Sequence, residues 1–206
     1  MGVAAKSSSG APLPAKLAGL LREAKWLILV AAAAYLSLIF ATYHRADPSW
    51  SHSATHAVPG NAGGVVGAWL SDLLLYLFGV SAYWSVALCL YVVVWGYRRL
   101  DGRGLIDPRP LGFALGGFAL LLIASASLEA LRLHSLKVEL PLAPGGLVGA
   151  LIGNAASAAL GFTGATLLLV TCAAVGLSLF IGVSWLTVSE YLGTLLEALY
   201  ERAMLA

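Results

Sequence analysis

Between residues 140 and 189 the chain carries no Asp, Glu, Lys or Arg, and a second uncharged run covers 73–97. Runs of this length cannot be held in water by one small core. A bilayer needs about 20 consecutive apolar residues per helical span. Across the 206 residues, 60% are hydrophobic and 11% are charged, with a mean hydropathy of +0.87. A soluble domain is about 25% charged. The chain therefore reads as an all-α membrane protein. The net charge of +2 is too small to imply a nucleic-acid surface. Cys89 and Cys172 both lie in apolar runs, as buried, inert thiols do.

Four spans are expected, at 26–43, about 81–97, 110–128 and about 165–187. Lys6, Lys16, Arg22 and Lys25 precede the first, and Arg98, Arg99, Arg103 and Arg109 separate the second and third. The remaining loops hold Arg45 in one, and Arg132 and Lys137 in the other. By the positive-inside rule both termini are cytoplasmic, and 44–62 and 129–145 face outward. Glu129, at the outer end of the third span, is expected to stay solvated. Residues 1–24 read as a disordered cytoplasmic lead, 25–187 as the membrane domain and 188–206 as a cytoplasmic exit helix. The long basic lead, with no A-x-A-like site after the apolar run, argues against a cleaved signal peptide.

"GGVVGAW" at 63–69 returns as "GGLVGAL" at 145–151, 82 residues later. At the same offset Asp72 faces Asn154, Gly79 faces Gly161, and the first two spans fall on the last two. The pattern implies two parallel repeats, about 26–97 and 108–187, each ordered as span, outer loop, interfacial helix and span. Chance likeness among small residues is the competing explanation. The glycines are not a phosphate loop, because no lysine in the chain follows a glycine. Instead Gly63-Gly64 and Gly145-Gly146 start helices of about 64–78 and 146–160. Fifteen residues at 1.5 Å reach about 22 Å, short of a full span. One strip holds Gly64, Gly67, Ala68, Ser71 and Asp72. Its counterpart holds Gly146, Gly149, Gly153, Asn154 and Ser157. Small residues at helical steps let backbones approach closely. Trp69 lies off the strip and suits the interface. Gly79 and Gly161 would turn the chain into the next span.

Asp72 is the acid most open to a functional reading, since intramembrane carboxylates are rare and costly. A structural role, capping or hydrogen-bonding to the preceding loop, is the stronger one. His44, His52 and His56 are close in sequence, and two histidines four apart can hold zinc. Without carboxylate support in a polar loop, they read as solvated, as does His134. No nucleophile–base pattern falls on one face at one depth.

Two stretches, "ADPSWS" at 46–51 and "NAGGVVGAWLSDLLLYLFGVSAYW" at 61–84, together resemble the N-terminal membrane domain of the FtsK/SpoIIIE family of bacterial DNA translocases. The positions that carry the resemblance are Asp47, Pro48, Ser49, Trp50 and Ser51, then Gly63, Gly64, Gly67, Ala68, Trp69, Leu70, Asp72, Phe78 and Gly79. It is specific over 25–100 and architectural over 101–187. The resemblance implies an anchor at the division septum of the inner membrane, touching other cell-division proteins and coupling division to chromosome segregation. It also implies a linker to a hexameric ATPase motor, so that DNA, ATP and Mg belong to the motor and no cofactor belongs to these residues. No Walker motif lies in the 206 residues, and the reading is not enzymatic. Asp47-Pro48-Ser49 is turn chemistry that would hold Trp50 at headgroup level. A small duplicated transporter or channel subunit is the alternative, disfavoured because the spans hold no ionisable residue at mid-depth.

Overall fold

The computed structural model describes residues 15–51, 59–100, 111–133, 140–182 and 184–204. Among these, all regular structure is helical: α1 (Ala15–Ala41), α2 (Gly64–Phe78), a 3₁₀ turn (Gly79–Tyr83), α3 (Trp84–Leu100), α4 (Leu111–Arg132), α5 (Gly146–Ile181) and α6 (Trp185–Met204). Three stretches are long and apolar enough to cross a membrane: Gly64–Val94, Leu111–Arg132 and Gly146–Ile181. Trp26–Ala41 is a shorter apolar helix. Four membrane-crossing segments are compatible with this set.

Several expected boundaries move. α1 begins at Ala15, inside the stretch expected to be disordered. Its first turns, AKLAGLLREAK, are dominated by strong helix formers, which favours helix over coil. The third span continues past 128 to Arg132. The fourth ends before 187, because Gly182 adopts φ 80° and caps α5 by donating its N–H to the Ser178 carbonyl at 2.8 Å. An αL glycine of this kind is a common helix stop. A new helix then starts at Trp185, ahead of the expected exit-helix boundary.

The predicted turn at Gly79 is present. Gly79 has φ 60° and ψ −145°, and the chain leaves α2 there through the 3₁₀ turn. Gly161 has φ 68° and ψ 169° and kinks α5 at the corresponding point. Both conformations are open to glycine and strained for other residues. Gly64 and Gly146, one at the start of each preceding helix, also share positive φ.

α4 lies along α5 in the most extensive helix pairing among the described residues, and α1 pairs with α3. The α4–α5 seam is built on glycines. A Cβ on Gly117 would stand 2.6 Å from the Phe180 nitrogen, and one on Gly176 would stand 2.6 Å from the Leu121 nitrogen. Without a strong hydrophobic drive between helices in lipid, such backbone contact is a principal source of association. At one end of the seam the buried Phe180 ring meets Phe118 of α4 at 5.5 Å and Tyr91 of α3 at 4.7 Å. That cluster joins the two helix pairs. A second core joins Ile39 and Phe40 of α1 to Leu75, Ala82 and Leu140.

Candidate functional site: three buried carboxylates at the loop-facing end

The loop after α1 is tied down by Asp47. Its buried carboxylate accepts the Gly60 N–H at 2.7 Å through Oδ1 and the Asn61 N–H at 2.9 Å through Oδ2. The loop thereby closes on itself, with 52–58 outside the described residues. Asp47 is thus more than a turn former. It sets the entry to α2, because the Asn61 side chain continues the network. Asn61 Nδ2 donates to the Ile39 carbonyl at 2.9 Å and to Ser71 Oγ at 3.4 Å, while its Oδ1 accepts the Gly63 N–H at 2.8 Å. One amide group links α1, the loop and α2.

Asp72 is fully buried on α2. Oδ1 accepts the Tyr43 hydroxyl at 3.0 Å and the Ser51 hydroxyl at 3.1 Å, and Oδ2 accepts the Ser51 N–H at 2.7 Å. The expectation that Asp72 bonds to the preceding loop holds, and the partner is the serine that ends the D-P-S-W-S stretch. Charged acceptors with several short N–H and O–H donors make the strong class of hydrogen bond. Beside the tied Ser51, Trp50 is 54% exposed, with its ring edge-on to Trp69 at 5.9 Å. The two tryptophans form one exposed aromatic step. Pro48 and Ser49 are half-buried between them and Asp47.

The third carboxylate corrects an expectation. Glu129 is not solvated but 3% exposed. Its Oε1 accepts the Val80 N–H at 2.9 Å, and its Oε2 accepts the Ser81 N–H and hydroxyl, each at 3.0 Å. The reason is the Gly79 turn. A 3₁₀ turn at a helix junction leaves N–H groups without helical partners, and a buried donor must find one. Glu129 on α4 supplies it, so α4 grips the turn between α2 and α3. Gly145 and Gly146 close the other side. A Cβ on Gly79 would lie 2.8 Å from the Gly145 Cα, and one on Gly146 would lie 2.6 Å from the Leu77 carbonyl carbon.

The glycine strips face inward in the main, with Ser157 only half-buried and one exposed exception. Gly67, Ala68, Ser71 and Asp72 are buried on α2, as are Gly149 and Gly153 on α5, while Gly63 and Gly64 are half-buried. A Cβ on Gly67 would meet Asn61 Oδ1 at 2.7 Å and Ile39 Cγ2 at 2.8 Å. One on Gly149 would stand 2.6 Å from the Ala126 carbonyl carbon. The exception is Asn154, which is exposed and does not share the environment of Asp72. Of the histidines, His44 is exposed beside its neighbour's carbonyl. His52, His56 and His134 fall outside the described residues. The two thiols are free and half-buried rather than fully buried.

Chemically, this arrangement fastens segments together. Each carboxylate accepts from donors on an adjoining loop or turn, and the three sit on α2, on α4 and in the loop between α1 and α2.

Residues 18–193 match a family model described as the 4TM region of DNA translocase FtsK/SpoIIIE. The chain is 45% identical over 195 residues to DNA translocase FtsK 2 of Ralstonia nicotianae, covering 92% of this chain and 25% of that protein. It is 34% identical over 176 residues to DNA translocase FtsK of Vibrio vulnificus, covering 85% and 18%. With DNA translocase FtsK 1 of Neisseria meningitidis serogroup B the identity is 31%, covering 84% and 22%. The chain therefore spans a quarter or less of the length of these relatives. No solved structure matches it.

Proposed function

Because the chain belongs to the FtsK/SpoIIIE family and corresponds to its four-span membrane region, we propose that it is the membrane anchor and division-protein contact of an FtsK-like DNA translocase, coupling septation to chromosome segregation. The observation that carries this reading is the match over 18–193. The carboxylates support an anchor over a transporter. Asp47, Asp72 and Glu129 each accept at least two hydrogen bonds from structural donors. Conducting or proton-relaying acids instead line a water-filled path.

In this proposal both termini are cytoplasmic and the protein lies at the septal inner membrane. The outer surface, 44–80 with 129–164, meets other division membrane proteins, with the Trp50–Trp69 step as its most prominent aromatic feature. DNA, ATP and Mg are met only by a motor of the kind the relatives' names denote. Anchor copies assemble with that motor, in hexameric number. Holding a motor at one site raises its local concentration around passing DNA. The 64–78 and 146–160 helices lie in the outer interface as counterparts in a duplicated unit. The shared positive φ at Gly64 and Gly146, and at Gly79 and Gly161, supports that duplication.

The deciding experiment follows residues 1–206, fused to a fluorescent protein, in dividing cells. A midcell ring that forms with constriction is expected. Uniform membrane fluorescence in constricting cells overturns the septal reading. Topology reporters separate this from a wrong orientation: fusions after Ala206 or within 99–108 should report cytoplasm, and fusions within 52–60 the outer side.

A further inference from the structure

The described side chains of α6 have almost no cover. Leu186 and Tyr191 are 76% and 74% exposed, and Trp185, Leu192, Leu195, Leu196 and Tyr200 are all exposed. A run of uncovered large apolar side chains on one helix marks a surface made for something else. The polar residues are ordered too. Thr187, Glu190, Thr194 and Glu197 follow each other at three- and four-residue steps, which places them on one narrow strip. The large apolar residues, Met204 included, spread over an arc of more than half of the circumference at about 100° per residue, with Ser189 among them. Tyr191 stands at one rim of that arc, and Tyr200 stands towards the other, beside Leu186 and Met204.

Three features identify the occupant. First, α6 starts just after the αL cap at Gly182 that ends α5, so its first turn sits where a membrane segment finishes. The Trp185 indole N–H reaches back to the Ala174 carbonyl of α5 at 3.1 Å and holds it there. Second, the arc is too broad for a helix–helix seam, which is a narrow stripe, whereas a bilayer surface covers a broad arc at once. Third, tyrosines towards both rims and a tryptophan at the start suit the headgroup level, where amphipathic rings are stable. We infer that α6 lies along the membrane surface at the end of α5, its leucines among the acyl chains and Glu190 and Glu197 in water. The helix is about 30 Å long, so the chain would leave the membrane plane that far from α5. Because three of the four charged residues of α6 are acidic, Glu190, Glu197 and Glu201 against Arg202, attachment is hydrophobic and needs no anionic lipid, unlike basic interfacial helices.

This inference rests on α5 ending at a membrane face, and not on which face that is. The full chain is placed in nanodiscs of phosphatidylcholine, and an environment-sensitive fluorophore is attached at Leu196→Cys or at Glu197→Cys, with signal from the labelled parent subtracted. Brominated acyl chains should quench the label at 196 several-fold more than the label at 197, and aqueous iodide should show the reverse order. Leu192→Glu should raise iodide access at 196. Equal iodide access at 196 and 197 overturns the inference. So does protection at 196 that vanishes in discs holding one copy, since a second copy would then be the cover. A reversed orientation of the protein leaves these results unchanged and fails only the topology reporters.

Discussion

The α1–loop–α2 unit and the α4–α5 pair are held together by different chemistry. In the first, α1, the following loop and α2 are joined by side-chain hydrogen bonds from Asp47, Asn61 and Asp72. In the second, α4 and α5 meet through Gly117, Gly149, Gly153 and Gly176, backbone against backbone. Asp72 and Asn154 occupy matching positions in the sequence, yet one is sealed from solvent and the other faces out. The difference teaches that a shared glycine frame does not dictate the fastening. Where a long polar loop must be fixed, buried acceptors collect its N–H groups. Where glycines let two helices meet backbone to backbone, surface contact suffices.

The contrast can be broken most severely in the α4–α5 pair. Gly149→Val drives a side chain into the Ala126 backbone, which cannot rotate away. Overpacking of this kind costs about 3 kcal/mol or more, and the largest fall in detergent melting temperature is expected here. Gly67→Leu should cost less, about 1–2 kcal/mol. Its nearest neighbours, Asn61 Oδ1 and Ile39 Cγ2, are side-chain atoms rather than backbone. A Gly67→Leu protein that melts below Gly149→Val would reverse the assignment of packed and hydrogen-bonded halves.

In the α1–loop–α2 unit, Asp72→Ala strips acceptors from Tyr43 and Ser51 and should cost about 2 kcal/mol. It should also release the 46–51 stretch, which limited proteolysis or hydrogen exchange at Ser51 can follow. The matching Asn154→Ala should fall within about 0.5 kcal/mol of the parent, as exposed positions do. Equal losses at 72 and 154 would mean the halves are fastened alike. The smallest stability effect is expected for Trp69→Ala, which removes half of an exposed aromatic step. Its consequence should appear as weaker midcell recruitment at near-parental melting temperature.

Much of the frame was legible because it rests on glycine spacing and helical steps. The limits of α2, the turn at Gly79 and the inward face of Gly67, Ala68, Ser71 and Asp72 all follow from local pattern. What stayed hidden depends on partners with no sequence signature. Glu129 reads as a solvated helix end because its acceptors serve the backbone N–H groups of Val80 and Ser81, and any residue type carries such a group. Asp47 reads as a turn former for the same reason, since its partners are the N–H groups of Gly60 and Asn61. Asn61 itself carried no singled-out signal, although an asparagine accepting the N–H two residues on is common turn chemistry. Asn154 misled in the opposite sense: alignment with Asp72 suggested burial, but the α4–α5 seam closes through smaller neighbours and leaves it outside.

The grip of Glu129 on the Gly79 turn also bears on how the protein is made. Synthesis runs from the N-terminus, so α2, the turn and α3 exist before α4 emerges. Until then the Val80 and Ser81 N–H groups lack their native acceptor in surroundings that are mostly apolar. The junction of α2 and α3 is therefore unfinished on its own and waits, with its elbow open, for the helix that follows. Arrival of α4 completes it from outside, so that the later half of the chain acts as the assembly factor of the earlier half.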